Sequence, residues 1–161
     1  MTLIVFVCRG NTCRSPLAEA LAQRLCTDTR LRFTAAGVAP SPIGGPASSG
    51  ARAIAKLQGL DLSAHQSQAA DADLLSSAAH IIALDRSVRD ELMARTPPAL
   101  HCRIKLLMSY AASLNQDDVA DPWDGTTDDY ARAFREIETA IPALIAAVSS
   151  NPKQNLPIGP A

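Results

Sequence analysis

The sequence predicts an α/β protein: a three-layer α/β/α sandwich around a central four-stranded parallel sheet in the order 2-1-3-4. Short apolar, β-branched runs without alternation read as strands buried on both faces. Stretches with Leu, Ala and Ile at helical spacing fall between them, and strands alternating with helices imply βαβ units with right-handed crossovers. Gly- and Pro-rich breaks separate the segments.

Leu3-Ile4-Val5-Phe6-Val7 forms the first strand and ends in Cys8-Arg9-Gly10-Asn11-Thr12. Ser15-Pro16 then opens a helix, with Ser15 as cap, Pro16 in the first turn and Leu17, Ala18, Leu21, Ala22 and Leu25 on one face. Leu31 to Ala36 is the second strand, and Gly37 to Ser49 is loop, with Pro40, Pro42, Gly44, Gly45 and Pro46. Gly50 to Gln58 is helical and stops at Gly59. A short helix over Asp71 to Ser77 precedes the third strand, His80 to Leu84, with Asp85 at its carboxyl end. Val88 to Ala94 is helical, and Arg103 to Leu107 is the fourth strand. A long polar loop, Ser109 to Gly125, leads to a final helix, Asp128 to Val148, which Pro142 is expected to kink. The expected organisation is one domain, 1–149, and a flexible tail, 150–161.

Composition narrows the function. The chain has 161 residues, 47% hydrophobic and only 4% aromatic, so the core must be Ala, Leu, Ile and Val. Its net charge of -1 and the lack of a basic stripe argue against nucleic acid as partner. The four cysteines, Cys8, Cys13, Cys26 and Cys102, form no CxxC pair, and His65, His80 and His101 do not cluster with them. Neither a metal site nor a disulfide scaffold is expected, and no cofactor. Cys26 and Cys102 read as packing residues. No signal peptide or membrane-spanning run is visible, so the expected address is the cytoplasm, as a monomer or weak dimer.

The chemistry sits in Cys8-Arg9-Gly10-Asn11-Thr12-Cys13-Arg14-Ser15, a C-x5-R-S loop between strand and helix. Such a loop can turn successive backbone N–H groups inward as an anion nest, to which the helix adds its positive end. Gly10 is expected to supply a positive φ, while Asn11 tolerates the left-handed region and ties the loop to itself. Arg14, on the rim, can grip two phosphate oxygens with its planar fork. Cys8, at the floor, is favoured as thiolate by amides, dipole and Arg14, and Ser15 can donate to the same sulfur. No G-x4-G-K-[ST] or G-x-G-x-x-G is present, which sets nucleotide loops aside.

Val7 to Pro16, followed by Ala18-Glu19, resembles the active-site loop of the low-molecular-weight protein-tyrosine phosphatases, and Asp121-Pro122-Trp123 resembles their general-acid loop. The resemblance covers essentially residues 1 to 149. It implies a metal-independent phosphoprotein phosphatase in which Cys8 becomes phosphocysteine, Arg14 binds the phosphoryl group and Asp121 protonates the leaving oxygen. The residues alone leave Asp117, Asp118 and Asp124 as rival loop acids; Pro122 and Trp123 favour Asp121. Trp123 is expected as a wall of the substrate cleft. The resemblance also makes Cys13 a disulfide partner shielding Cys8, and His65 a support for the loop.

Some positions depart from the family pattern. Ala35-Ala36-Gly37-Val38 stands where the family usually has Ser-Ala-Gly-Thr, losing two hydroxyls. Ala39 to Pro46 has no aromatic residue, leaving Ile43 as the apolar candidate for the second wall. Thr12 stands where tyrosine phosphatases of the family often have isoleucine; threonine there resembles the bacterial protein-arginine phosphatases. Phosphotyrosine protein phosphatase is therefore the first expectation, protein-arginine phosphatase the alternative. Arsenate reduction lacks the relay cysteines it needs, and a binding protein without turnover fits poorly with Cys8, Arg14 and Asp121 all present.

Overall fold

The structure, a computed structural model, describes residues 1–150. Four strands form one parallel sheet in the order β2-β1-β3-β4: β1 (Thr2–Cys8), β2 (Leu31–Gly37), β3 (His80–Ala83) and β4 (Ile104–Leu106). The predicted fold and strand order hold. Among the described residues, five α-helices connect and flank the sheet: α1 (Arg14–Leu25), α2 (Ser49–Leu57), α3 (Ala72–Ser77), α4 (Arg86–Arg95) and α5 (Thr127–Ser149).

Strand alternation divides the core between the two faces. Ile4, Phe6 and Cys8 pack with buried residues of α1, α2 and α5, whereas Val5 and Val7 pack with those of α3 and α4. The parity matters for chemistry, because it sends the Cys8 side chain toward α1 and the start of α5. With few aromatics, the interior is closed by aliphatic side chains and one stacked pair, Phe6 and Phe33, at 6.1 Å between centroids.

Several expectations shift by a residue or two. The fourth strand is shorter than predicted, because a 3₁₀ segment over Pro98–Arg103 takes its first residue and another over Leu107–Tyr110 its last. The polar loop after it is less irregular than expected, since a further 3₁₀ turn covers Ala112–Leu114. The α5 helix passes through Pro142 as one element. The tail expected over 150–161 lies, beyond Ser150, outside the described residues.

The helix starts differ in one respect that bears on function. Ser48 caps α2, Asp71 caps α3, Asp85 caps α4, and Thr126 with Asp129 forms a capping box on α5. The N-cap of α1 is Cys13, which makes no side-chain capping bond. Ser15, expected as that cap, instead lies inside the helix, because the cap falls two residues earlier and α1 begins at Arg14.

Candidate active site

The C-x5-R loop leaves β1 at Cys8 and enters α1 at Arg14, at the carboxyl ends of the parallel strands, where such sheets bind ligands. Its tight turn is made by Asn11, at φ 54°, and not by Gly10, which is absent from the positive-φ residues. Asn11 holds that conformation with three bonds. Its amide nitrogen donates to Ser15 Oγ at 2.9 Å, its side-chain oxygen accepts from Gln68 N at 2.8 Å, and its carbonyl lies 2.7 Å from His65 Nε2. The end of β2 supports the loop from below: Val38 N donates to Cys8 O at 3.0 Å and Ala39 N to Arg9 O at 2.9 Å. Gly37 permits this approach, since a Cβ there would stand 2.7 Å from Arg9 O and 2.9 Å from Asn11 N.

Cys8 is buried, with Sγ 3.0 Å from Ser15 Oγ. The Ser15 oxygen accepts a hydrogen bond from the Asn11 amide, so its own hydroxyl proton is free to turn between Cys8 Sγ and the Ala36 carbonyl, 3.3 Å away. A thiolate draws that proton toward sulfur; a thiol releases it to Ala36.

Arg14 is more deeply held than a rim position implies: it is 2% exposed. Its Nη1 donates to Asp85 Oδ2 at 2.6 Å and to Val119 O at 2.8 Å, while Nη2 lies 3.3 Å from Asp121 Oδ2. Its Nε is buried with no partner. Burial opposes the guanidinium charge, but the nearby charges of Cys8, Asp121 and Asp85 outweigh it and raise the Arg14 pKa above its ordinary value.

A cavity of about 250 Å³ opens over these groups. The loop lines one side with Cys8, Arg9, Gly10, Thr12, Cys13 and Arg14; Asp121 and Trp123 face it, and Ala39 and Ser41 close the end. Pro122, buried, carries the two opposing residues into place. Ile43 does not form the second wall: it is 69% exposed and stands outside the lining, because the loop turns Ala39 and Ser41 inward instead. Among the four loop aspartates, Asp117 and Asp118 pair with Arg86, and Asp124 faces a neighbouring groove. Asp121 alone of these lines the cavity, with Oδ1 accepting from Trp123 N at 3.1 Å.

Cys13 and Cys8 are both free thiols in this structure. Cys13 Sγ sits 3.2 Å from Ser48 Oγ and 3.4 Å from Tyr130 OH, and these two hydroxyls are 3.1 Å apart. Burial, with the bond to Cys13, pushes the Tyr130 pKa up to about 12. Cys26 is half-buried against the core as expected, but Cys102 is exposed, on a 3₁₀ segment that reaches the surface.

Sequence reasoning missed Asp85, Val119, Ser48 and Tyr130. Asp85 carried a signal, its place at the carboxyl end of a predicted parallel strand. Val119 and Tyr130 carried none: one is a lone apolar residue in a polar loop, the other a helix residue with the spacing of core.

A thiol beneath a fixed guanidinium, with an acid across a narrow cavity, is equipped to take a phosphoryl group on sulfur and hand a proton to the departing oxygen. Proteins of this class are cysteine-dependent phosphatases. The model of the family described as low molecular weight phosphotyrosine protein phosphatase matches residues 3–154, and the chain belongs to that family. A protein-arginine-phosphatase of Geobacillus stearothermophilus is 33% identical over 141 residues, covering 88% of this chain and 92% of that protein. The low molecular weight protein-tyrosine-phosphatase YfkJ of Bacillus subtilis is 27% identical over 152 residues, covering 92% and 96%. The crystal structure of an Entamoeba histolytica protein tyrosine phosphatase superposes with a TM-score of 0.87 at 25% identity, over 93% of this chain and 98% of that one. Among the described residues, no helix is long and apolar enough to cross a membrane.

Proposed function

We propose that this phosphatase hydrolyses phosphotyrosine in proteins, and small aryl phosphates, through a phosphocysteine on Cys8. The catalytic unit is residues 1–149, acting as a monomer or weak dimer in the cytoplasm, where reducing conditions keep Cys8 a thiol. The observation that carries the reading is the state of Arg14. Asp85 and Val119 occupy Nη1, leaving Nε buried and unpartnered and Nη2 near Asp121 alone. A buried, unsatisfied donor is costly, and a phosphate oxygen is the partner whose charge and geometry match it.

In the first step the Cys8 thiolate attacks phosphorus, the P–O bond to the aryl group breaks, and Asp121 gives its proton to the leaving oxygen. Ser15 turns its hydroxyl to the thiolate, and the loop amides with Arg14 hold the equatorial oxygens. In the second, Asp121 takes a proton from water, which attacks phosphorus; the S–P bond breaks and inorganic phosphate leaves. Arg9, Gly10, Thr12 and Cys13 supply cradle backbone, Asn11 and His65 hold its shape, and Trp123 forms the wall against which a phenyl ring stacks.

A second reading, protein-arginine phosphatase, is favoured by Thr12, which lines the cavity and offers a hydroxyl to a polar guanidino phosphate. Rates on matched phosphotyrosyl and phosphoarginyl peptides, for wild type and Thr12→Ile, separate the two. Faster turnover of phosphotyrosine by the wild type supports the first reading. A wild-type preference for phosphoarginine that Thr12→Ile reverses replaces it with the second.

A further inference from the structure

Beside the catalytic cavity, and separated from it by one side chain, lies a groove of about 370 Å³ that the chemistry above leaves unused. We propose that it is the subsite for an apolar side chain of the phosphoprotein substrate, near the phosphorylated residue, with a basic residue beside it. The inference rests on the phosphatase reading and adds to it which neighbours of the phosphosite are read.

The groove runs between α2 and the start of α5. Its floor is the Tyr130 ring, laid so closely on Gly50 that a Cβ there would come within 2.3 Å of it. Ala53, Ile54 and Leu57 form one bank, and Trp123 with Asp124 forms the other. Trp123 also walls the catalytic cavity, so the two depressions share one indole. Leu57 is 74% exposed and Trp123 64% exposed, so two large apolar side chains left in water border the same groove. Surfaces of that kind on a folded domain mark places that are covered in use.

Continuity and charge identify what covers this one. With phosphate under Arg14, the chain that bears it must cross the cavity mouth. On one side of the mouth stands Arg9, exposed and charged. On the other, past Trp123, lies the apolar groove, whose only charged lining group among the described residues is Asp124. A substrate segment with an apolar and a basic residue complements the Trp123 side. The Tyr130 floor also links the groove to the phosphate loop through Cys13. A small aryl phosphate fills the cavity without reaching Ala53 or Leu57, so the two kinds of substrate report on different parts of the surface.

The test compares kcat/KM for p-nitrophenyl phosphate and for two phosphotyrosyl peptides of equal length, one flanked by Leu and Lys, the other by Ser and Glu. The variants are Ala53→Phe, which fills the groove from an exposed helix position, and Leu57→Ser, which removes apolar surface without adding charge, with sedimentation at assay concentration. The expected result is a preference of roughly tenfold for the Leu/Lys peptide in the wild type, the scale on which one apolar pocket discriminates. Either variant removes that preference and leaves p-nitrophenyl phosphate hydrolysis unchanged. If Ala53→Phe also slows the small substrate, Leu57→Ser decides. Equal rates on the two peptides in the wild type, or a preference that survives both variants, overturns the proposal. So does a wild-type dimer that Ala53→Phe dissociates with no change in peptide preference, which makes the groove a self-association face. Wild-type protein inert on p-nitrophenyl phosphate overturns the phosphatase reading itself and the subsite with it.

Discussion

Two strand-to-helix turns lie side by side at the carboxyl end of the sheet, and they treat their helices in opposite ways. The turn from β3 to α4 is closed: Asp85 Oδ1 accepts from Val88 N at 2.7 Å and satisfies the first turn of the helix. The turn from β1 to α1 is open, because Cys13 at the N-cap offers no side-chain acceptor. The donors and positive end of α1 are thus left for something that arrives later. The closed turn also serves the open one, since the other oxygen of Asp85 holds Arg14 at 2.6 Å. One carboxylate therefore stabilises its own helix and aims the guanidinium of its neighbour. The contrast teaches that a helix start left uncapped amid capped ones is a place where the ligand supplies the missing anion.

The comparison can be broken at the open turn first. Cys8→Ser should lower kcat on p-nitrophenyl phosphate by roughly 10⁵-fold or more, the scale of losing a nucleophile, while phosphate binding measured by calorimetry persists. Full turnover by that variant would end the account. Asp121→Asn should cost roughly 10²–10⁴-fold in kcat on substrates with a poor leaving group; an equal loss on all leaving groups would show that Asp121 does not donate the proton.

At the closed turn, Asp85→Asn separates the two roles of one side chain. Asn caps a helix about as well as Asp, so α4 should keep its stability in urea. The charge on Arg14 loses its partner, and kcat/KM should fall roughly 10- to 100-fold through misplacement of the guanidinium. Unchanged kcat/KM would mean that Val119 alone suffices to aim it.

The smallest effect is expected at the other end of the sheet. His80, at the amino end of β3, is buried with an unpartnered Nε2; burial first, then Lys105 and Arg103, holds its folded pKa below the ordinary 6.5. The unfolded chain therefore binds a proton that the folded chain refuses, and stability is lost as pH falls below 6.5 toward the folded pKa. Urea midpoints at pH 7.5 and pH 5.5 should differ less in His80→Val than in wild type, with activity per folded molecule untouched. An identical drop in both would remove His80 from the acid response and leave the two turns as they are.

Much of this site was legible in one dimension because its central elements are local. Cys8 and Arg14 are joined by a single loop, and a buried strand before it and helical spacing after it fix where that loop lies. Local geometry is less legible in places. Asn11 and not Gly10 makes the left-handed turn, since its side chain can bond Ser15 and Gln68 while its backbone bends. Ser15 precedes proline as a cap does, yet the cap falls two residues sooner and the Ser15 hydroxyl turns to Cys8. Ile43 has the size for a cleft wall, but its loop carries it outward to solvent.

Hydrophobic period and motif spacing are properties of neighbouring residues, so the chain read in one dimension already specifies the sheet order, the thiol at the end of the first strand and the guanidinium six residues on, where the loop ends. Which carboxylate and which carbonyl restrain Arg14, and where Cys13 finds its partners, emerge with the folded chain alone. Those contacts join residues 71 positions apart in the case of Asp85 and 117 in the case of Tyr130. No local preference encodes such a meeting; it follows from the closure of α/β layers around a shared core, which brings distant strand ends and helix starts to one edge.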